Sequence, residues 1–316
     1  MHFADQLTAR MRELRAPVCV GIDPQLHLLP RELRERFRLD GLKDRPPITS
    51  VERQSAADAV VAHGAAVLDA VANVVPAVKI NIAFLEPMQE AGLTAYRTLV
   101  AEAHRRRLLV IGDVKRADIG HTSTMYAWAH LGAADVADDS FPDAITINPY
   151  FGVDGVEPFV TAARATGRGL FVLVQTSNPS AAHVQGLALA DGGTLGERVA
   201  THVDQWSRGE GLVGATGYSL VGAVVAPRDV RAAREARERM PHCLFLVPGY
   251  GAQGLSAADV ASCFRPDGTG AVVNASRSVI YACDQPRYRE RAKDWKQCIA
   301  DACAEFVGEI RDAVYR

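Results

Sequence analysis

Leu108-Leu-Val-Ile-Gly-Asp-Val-Lys-Arg-Ala-Asp-Ile-Gly-His-Thr122 decides the reading of this chain. An apolar run with β character, expected as a strand over Leu108–Asp113, drives straight into three charges. Asp113 and Lys115 are two residues apart, so on a strand they project the same way. Asp118 and Thr122 follow just past the strand end, where helical patterning resumes over Ile119–Ala134. Two carboxylates and an ammonium at the tip of a buried strand are costly to assemble unless they pair or work. The alternative to a catalytic cluster is a purely structural salt-bridge network.

The same unit, a short apolar strand followed by a helical segment, repeats along the chain. Strands are expected near Val18–Asp23, Ala77–Ile82, Leu108–Asp113, Ala144–Ile147, Leu170–Gln175, Leu220–Val225, Cys243–Val247 and Ala271–Asn274. The runs are continuously apolar, as parallel strands buried on both faces should be. Thr49-Ser-Val-Glu52 is a capping box opening a helix to about Val74. Further helices are expected near Met88–Arg106, Gly155–Ala165, Leu195–Gln205, Arg228–Glu238 and Ala257–Cys263. Pro286 is expected to start the last helix, whose stripe of Trp295, Ile299, Cys303, Phe306 and Ile310 keeps helical spacing. Eight such units predict an α/β fold, a single (β/α)8 TIM barrel with extended βα loops, as one domain over residues 1–316. A doubly wound sheet is the rival, but Gly21-Ile-Asp-Pro24 is not the glycine-rich turn it would want. Two stretches exceed an ordinary loop: 24–48, with a short helix expected at Pro30–Phe37, and 177–193.

Composition narrows the function. Thirty-five basic against 37 acidic residues leave a net charge of −2, so there is no nucleic-acid footprint. No apolar run approaches the ~18 residues that span a bilayer. Met1–Arg15 is polar and mixed in charge, unlike a signal peptide. The six cysteines are scattered without a Cys-x-x-Cys pair and read as buried hydrophobes of a reducing cytoplasm. The histidines show no zinc-site spacing, and no metal is expected.

In a barrel the chemistry sits at the C-terminal ends of the strands. Those ends carry Asp23, then Lys79 and Asn81, then Asp113, Lys115 and Asp118, then Asn148-Pro-Tyr150, Gln175-Thr-Ser-Asn178, Pro248-Gly-Tyr-Gly-Ala-Gln-Gly254 and Asn274-Ala-Ser-Arg-Ser278. Asp23 also reads as a turn residue before Pro24. Lys79, inside Val78-Lys-Ile80, must point into the barrel mouth or pair with a carboxylate. Gly249, Gly251 and Gly254 free the backbone to turn N–H groups toward an anion, although they also read as simple turns. Ser276 and Arg277 stand where a short helix opens after the eighth strand, the usual phosphate site of such barrels.

Together these residues resemble orotidine 5'-phosphate decarboxylase over nearly the whole chain. The core of the resemblance is Asp113-x-Lys115-x-x-Asp118-Ile119 with Thr122, supported by Gly21-Ile-Asp-Pro24, Val78-Lys-Ile80, Pro248-Gly-Tyr-Gly-Ala-Gln-Gly254 and Ser276-Arg-Ser278. Lys115-Arg-Ala-Asp-Ile-Gly120, Asn148-Pro-Tyr-Phe-Gly152 and Thr176-Ser-Asn-Pro179 resemble its longer bacterial subfamily, type 2. The Asp-x-Lys-x-x-Asp motif alone is shared with 3-keto-gulonate-phosphate decarboxylase and hexulose-phosphate synthase.

The resemblance implies decarboxylation of orotidine 5'-phosphate to UMP in de novo pyrimidine biosynthesis, without a cofactor, by a cytoplasmic homodimer. It implies that Lys79, Asp113 and Lys115 come from one subunit while Asp118 and Thr122 reach across from its partner. Asp23 and Lys79 would bind the ribose with help from Asp118 and Thr122. Ser177 would hydrogen-bond the pyrimidine, and Gln253, Arg277 and the Ser276 backbone would hold the phosphate. Lys115 would stabilise and protonate a C6 carbanion, kept charged by the carboxylates beside it.

Three other readings stay open at this stage. One is a metal-dependent sugar-phosphate enzyme of the same barrel group, with Glu86 as a ligand. Another is a Schiff-base aldolase on Lys79 or Lys115. The third is a non-catalytic nucleotide-binding barrel.

Overall fold

Eight short apolar runs close into one parallel barrel in the computed structural model, which describes residues 2–42, 45–134, 138–250 and 256–315. The strands are β1 (Val18–Ile22), β2 (Ala77–Asn81), β3 (Leu109–Arg116), β4 (Ala144–Ile147), β5 (Gly169–Gln175), β6 (Val221–Val225), β7 (Phe245–Val247) and β8 (Ala271–Ala275). They pair in sequence order, and β8 closes on β1 through Val18↔Val273 and Cys19↔Asn274. Closure leaves no free sheet edge. The strands are buried almost throughout, so both the barrel interior and the contact with the outer helices are dry.

The outer helices form where the patterning placed them. Thr49 accepts the Glu52 N–H while Glu52 returns a bond to the Thr49 N–H, and the capped helix runs over Ser50–Val71. A second capping box, Thr194 with Glu197, opens Leu195–Ser207. Three features depart from the sequence reading. The third strand continues through Arg116 instead of ending at Asp113, with its register broken between Gly112 and Arg116. Pro286 starts only the four-residue helix Pro286–Arg289; the last helix, Trp295–Val314, begins afresh where Asp294 caps the N–H groups of Lys296 and Gln297. The polar N-terminus is a helix, Phe3–Leu14. Its Phe3 packs edge-on against Phe171 near the start of β5, and its Asp5 accepts the N–H groups of Ala215 and Thr216 just ahead of β6. The N-terminal helix thus packs at the N-terminal side of β5 and β6, the end opposite the strand C-termini.

The insertion after β1 carries the helix Arg31–Arg36 and buries Leu29, Leu33, Leu39 and Leu42. Glu32 accepts the indole N–H of Trp295, so this segment is packed against the outside of the barrel. Among the described residues, no helix is long and apolar enough to cross a membrane.

His63, fully buried on the helix Ser50–Val71, is stacked between Tyr281 and Trp295 at ring-centroid distances of 5.7 and 5.6 Å. Burial pulls its imidazole down to about 4. The unfolded chain therefore binds a proton below pH ~6.5 that the folded chain refuses until about pH 4, and stability falls as pH drops through that window. His130, buried and facing Arg116, is also held down to about 4. His63→Phe should flatten the decline of denaturant stability between pH 6.5 and 4 by about one proton, leaving the His130 share. An unchanged slope would contradict this.

Candidate active site

The tips of β1 to β3 bring four charges into one row of alternating sign. Lys79 Nζ donates to Asp113 Oδ2 at 2.8 Å and lies 3.7 Å from Asp23 Oδ1. Lys115 Nζ donates to Asp113 Oδ1 at 2.6 Å. The side chains of Lys79 and Asp113 are only 7% and 8% exposed, whereas that of Lys115 is 50% exposed, so the row runs from the barrel interior to its mouth. Burial alone would raise the Asp113 carboxyl, but the two ammonium groups outweigh it and hold Asp113 well below the usual carboxylate range. Burial likewise opposes charge on Lys79, and Asp113 with Asp23 overcomes it, so this lysine is held above its ordinary value.

The expectation that Asp113 and Lys115 share a direction holds, but a regular strand is not the reason. Gly112 pairs with Ile145 and Arg116 with Ile147, so Asp113, Val114 and Lys115 stand against Thr146 alone. Lys115 takes a left-handed backbone, φ +44°, which costs a non-glycine residue about 1–3 kcal/mol and persists only where its surroundings enforce it. Thr146 Oγ1 accepts the N–H groups of both Val114 and Lys115 at 3.0 Å and lies 2.9 Å from Asp113 Oδ1.

These residues line a cavity of about 440 Å³ in the barrel mouth. Asp23, Lys79, Asp113, Lys115, Ser177, Ser276 and Arg277, all singled out from sequence, line it. The approach of β1 to β8 is so close that a Cβ on Gly21 would fall 2.0 Å from Ser276 Oγ. Gly249 adopts φ +89°, as its place in the β7 loop required. Asp118 and Thr122 do not line the cavity of their own chain: Asp118 Oδ1 accepts the Ile119 N–H, and Thr122 is exposed. Gln253, Gly251 and Gly254 lie outside the described residues. Glu86 is paired with Arg116 and does not line the cavity.

A sequence profile of the orotidine 5'-phosphate decarboxylase / HUMPS family matches residues 17–291. The chain belongs to this family. A curated relative from Rhodopirellula baltica, named orotidine 5'-phosphate decarboxylase, is 37% identical over 98% of this chain and 99% of its own. A crystal structure from Streptomyces avermitilis is 30% identical, covers 100% of this chain and 96% of its own, and superposes with a TM-score of 0.76. The structure of Leishmania donovani OMP decarboxylase gives 27% identity, 99% and 100% coverage and a TM-score of 0.70. Within the family, the chain is an enzyme of the decarboxylase branch.

Sequence reasoning missed three residues of this decarboxylase-family site. Thr146 had a signal, being the one hydroxyl in the apolar strand Ala144–Ile147 beside the charged strand tip. Tyr281 had none. Its hydroxyl accepts the Gln25 N–H at 2.6 Å and donates to the Asp23 carbonyl at 3.2 Å, fixing the turn that carries Asp23. Gln185 donates to Thr176 Oγ1 and accepts the Thr176 N–H, pinning the segment that presents Ser177.

The difference in burial along the charge row sets a stability contrast. Lys79→Met leaves the Asp113 carboxylate buried without its inner partner and should cost about 3 kcal/mol in denaturant unfolding. Lys115→Met at the solvated end should cost less than about 1 kcal/mol. Equal costs would contradict the burial gradient.

Proposed function

We propose that the chain decarboxylates orotidine 5'-phosphate to UMP and CO₂ without a cofactor, in the cytoplasm, as one barrel domain spanning residues 1–316 of the longer bacterial, type 2, form. The observation that carries this reading is the pair of lysines held on one buried carboxylate, Asp113, at the wall of a cavity that also contains Arg277. Among the described residues no carboxylate pairs with Arg277, so its guanidinium is available to an anion. Asp23 lines the cavity, and its Oδ1 has no hydrogen-bond partner, only the Lys79 ammonium 3.7 Å away, so this carboxylate has acceptor capacity to offer a ribose hydroxyl. Ser177 would meet the pyrimidine ring, and Ser276, Arg277 and Gln253 the phosphate.

In this reading the C6–carboxylate bond breaks, CO₂ leaves, and the electron pair stays on C6. The ring offers this localised carbanion little delocalisation, so stabilisation must come from a charge fixed in advance. Lys115 supplies it and then transfers a proton from Nζ to C6, giving UMP and a neutral amine that solvent reprotonates. Asp113 fixes Lys115 before the reaction and opposes the incoming substrate carboxylate. Phosphate binding at Arg277, remote from C6, provides energy for orienting the base.

The homodimer belongs to the same proposal. Ile119, the N-cap of the helix Gly120–Leu131, and Met125 and Trp128 on that helix, with Tyr150 and Phe151 after β4, are each half exposed or more. So apolar a patch fits a subunit interface. Ile119, Met125 and Trp128 lie on the same segment as Asp118 and Thr122, the residues proposed to enter the partner's cavity.

The test follows ultraviolet loss of orotidine 5'-phosphate in EDTA with Lys115→Ala alongside. The wild type should turn over, and the variant should lose at least about 10³-fold in kcat while still binding UMP. Absence of turnover by folded wild-type protein, or substantial turnover by the variant, would overturn the reading. Arg277→Ala should act chiefly on kcat/KM, lowering it about 10²-fold or more.

A further inference from the structure

Thr146 connects both ends of the Lys115 side chain. A threonine hydroxyl has one proton to donate and two lone pairs to accept. The Val114 and Lys115 N–H groups can only donate, so they occupy the acceptor side of Thr146 Oγ1, and the hydroxyl proton goes to Asp113 Oδ1. That same carboxylate oxygen receives Lys115 Nζ. One buried atom thus holds the main chain from which Lys115 departs and orients the group on which its ammonium rests. In the ladder Asp113, Val114 and Lys115 all stand against this single β4 residue.

We propose that Thr146 is a positioning residue for the decarboxylation, setting where Lys115 Nζ stands against the reacting carbon; this rests on the function proposed above. Thr146 is 1% exposed, next to the bulge, and its hydroxyl is fully used, so it need not touch the substrate to act. Valine has nearly the same shape and supplies none of the three bonds. The buried Val114 N–H and the part-buried Lys115 N–H then lose this acceptor, and the left-handed turn at Lys115 loses what enforces it. A displacement of about 1 Å at a catalytic group is enough to cost 10²-fold in rate.

The test compares wild type, Thr146→Val and Thr146→Ser, with rates referred to sites counted by UMP binding so that lost folded protein does not register as lost catalysis. Thr146→Val is expected to lower kcat about 100-fold with KM and UMP affinity within about threefold of wild type, and Thr146→Ser to restore kcat to within about fivefold. Thr146→Cys keeps a weak acceptor in place and carries the test if the valine protein does not fold, with kcat expected to fall at least about tenfold. A kcat near wild type in the valine or cysteine protein, whatever its melting temperature, overturns the inference while leaving the proposed function standing. So does a loss confined to KM. A folded wild type that does not consume orotidine 5'-phosphate overturns both.

Discussion

The carboxylate of Asp113, shared between Lys79 on one oxygen and Lys115 on the other, is the interaction on which the site depends. A buried carboxylate with one cation would be a static pair. With two, it becomes a bridge carrying charge from the dry interior of the barrel to its mouth. Lys79 is committed inward, between Asp113 and Asp23, while Lys115 keeps half of its side chain in the open cavity. The desolvation cost of the inner charges is met by their mutual attraction, and the outer ammonium is left facing the space where a substrate can sit.

The barrel makes this arrangement affordable. Closing eight strands places the tips of β1, β2 and β3 side by side, with Gly21 opposite Lys79 and Asn81 opposite Asp113 in register. The same closure brings β8 against β1, where the absent side chain of Gly21 leaves room for Ser276. The charged row and Arg277 therefore line one cavity although more than 150 residues separate Lys115 from Arg277 in sequence. The N-terminal helix packs at the opposite end, and the row is most exposed at Lys115, on the mouth side.

The fold and most of the site were legible because buried parallel strands announce themselves as continuous apolar runs, and a charge inside such a run stands out. Lys79 within Val78-Lys-Ile80 and the Asp113–Lys115 pair are legible for that reason. What escaped depends on local geometry that residue types do not encode. The spacing of Asp113 and Lys115 suggested a regular strand, whereas a bulge and a left-handed residue produce the shared direction. Thr146 looks like an ordinary strand threonine until the register puts three residues opposite it. Tyr281 follows β8 by several residues and reaches back to the turn after β1, a contact that only the closed barrel creates. The last helix was placed too early because Pro286 is a good helix start, but Asp294 caps a better one.

In the proposed homodimer, Asp118 and Thr122 mark the boundary of what one chain contains. Both sit beside an exposed apolar patch and away from the cavity of their own chain, which is the placement expected of residues that act in a second copy. The most direct measurement is the steady-state rate of orotidine 5'-phosphate decarboxylation by Asp113→Asn, in folded protein whose sites are counted by UMP binding. If the shared carboxylate organises the two lysines, kcat falls at least about 10³-fold. A variant that turns over at the wild-type rate would contradict the central role given to this interaction.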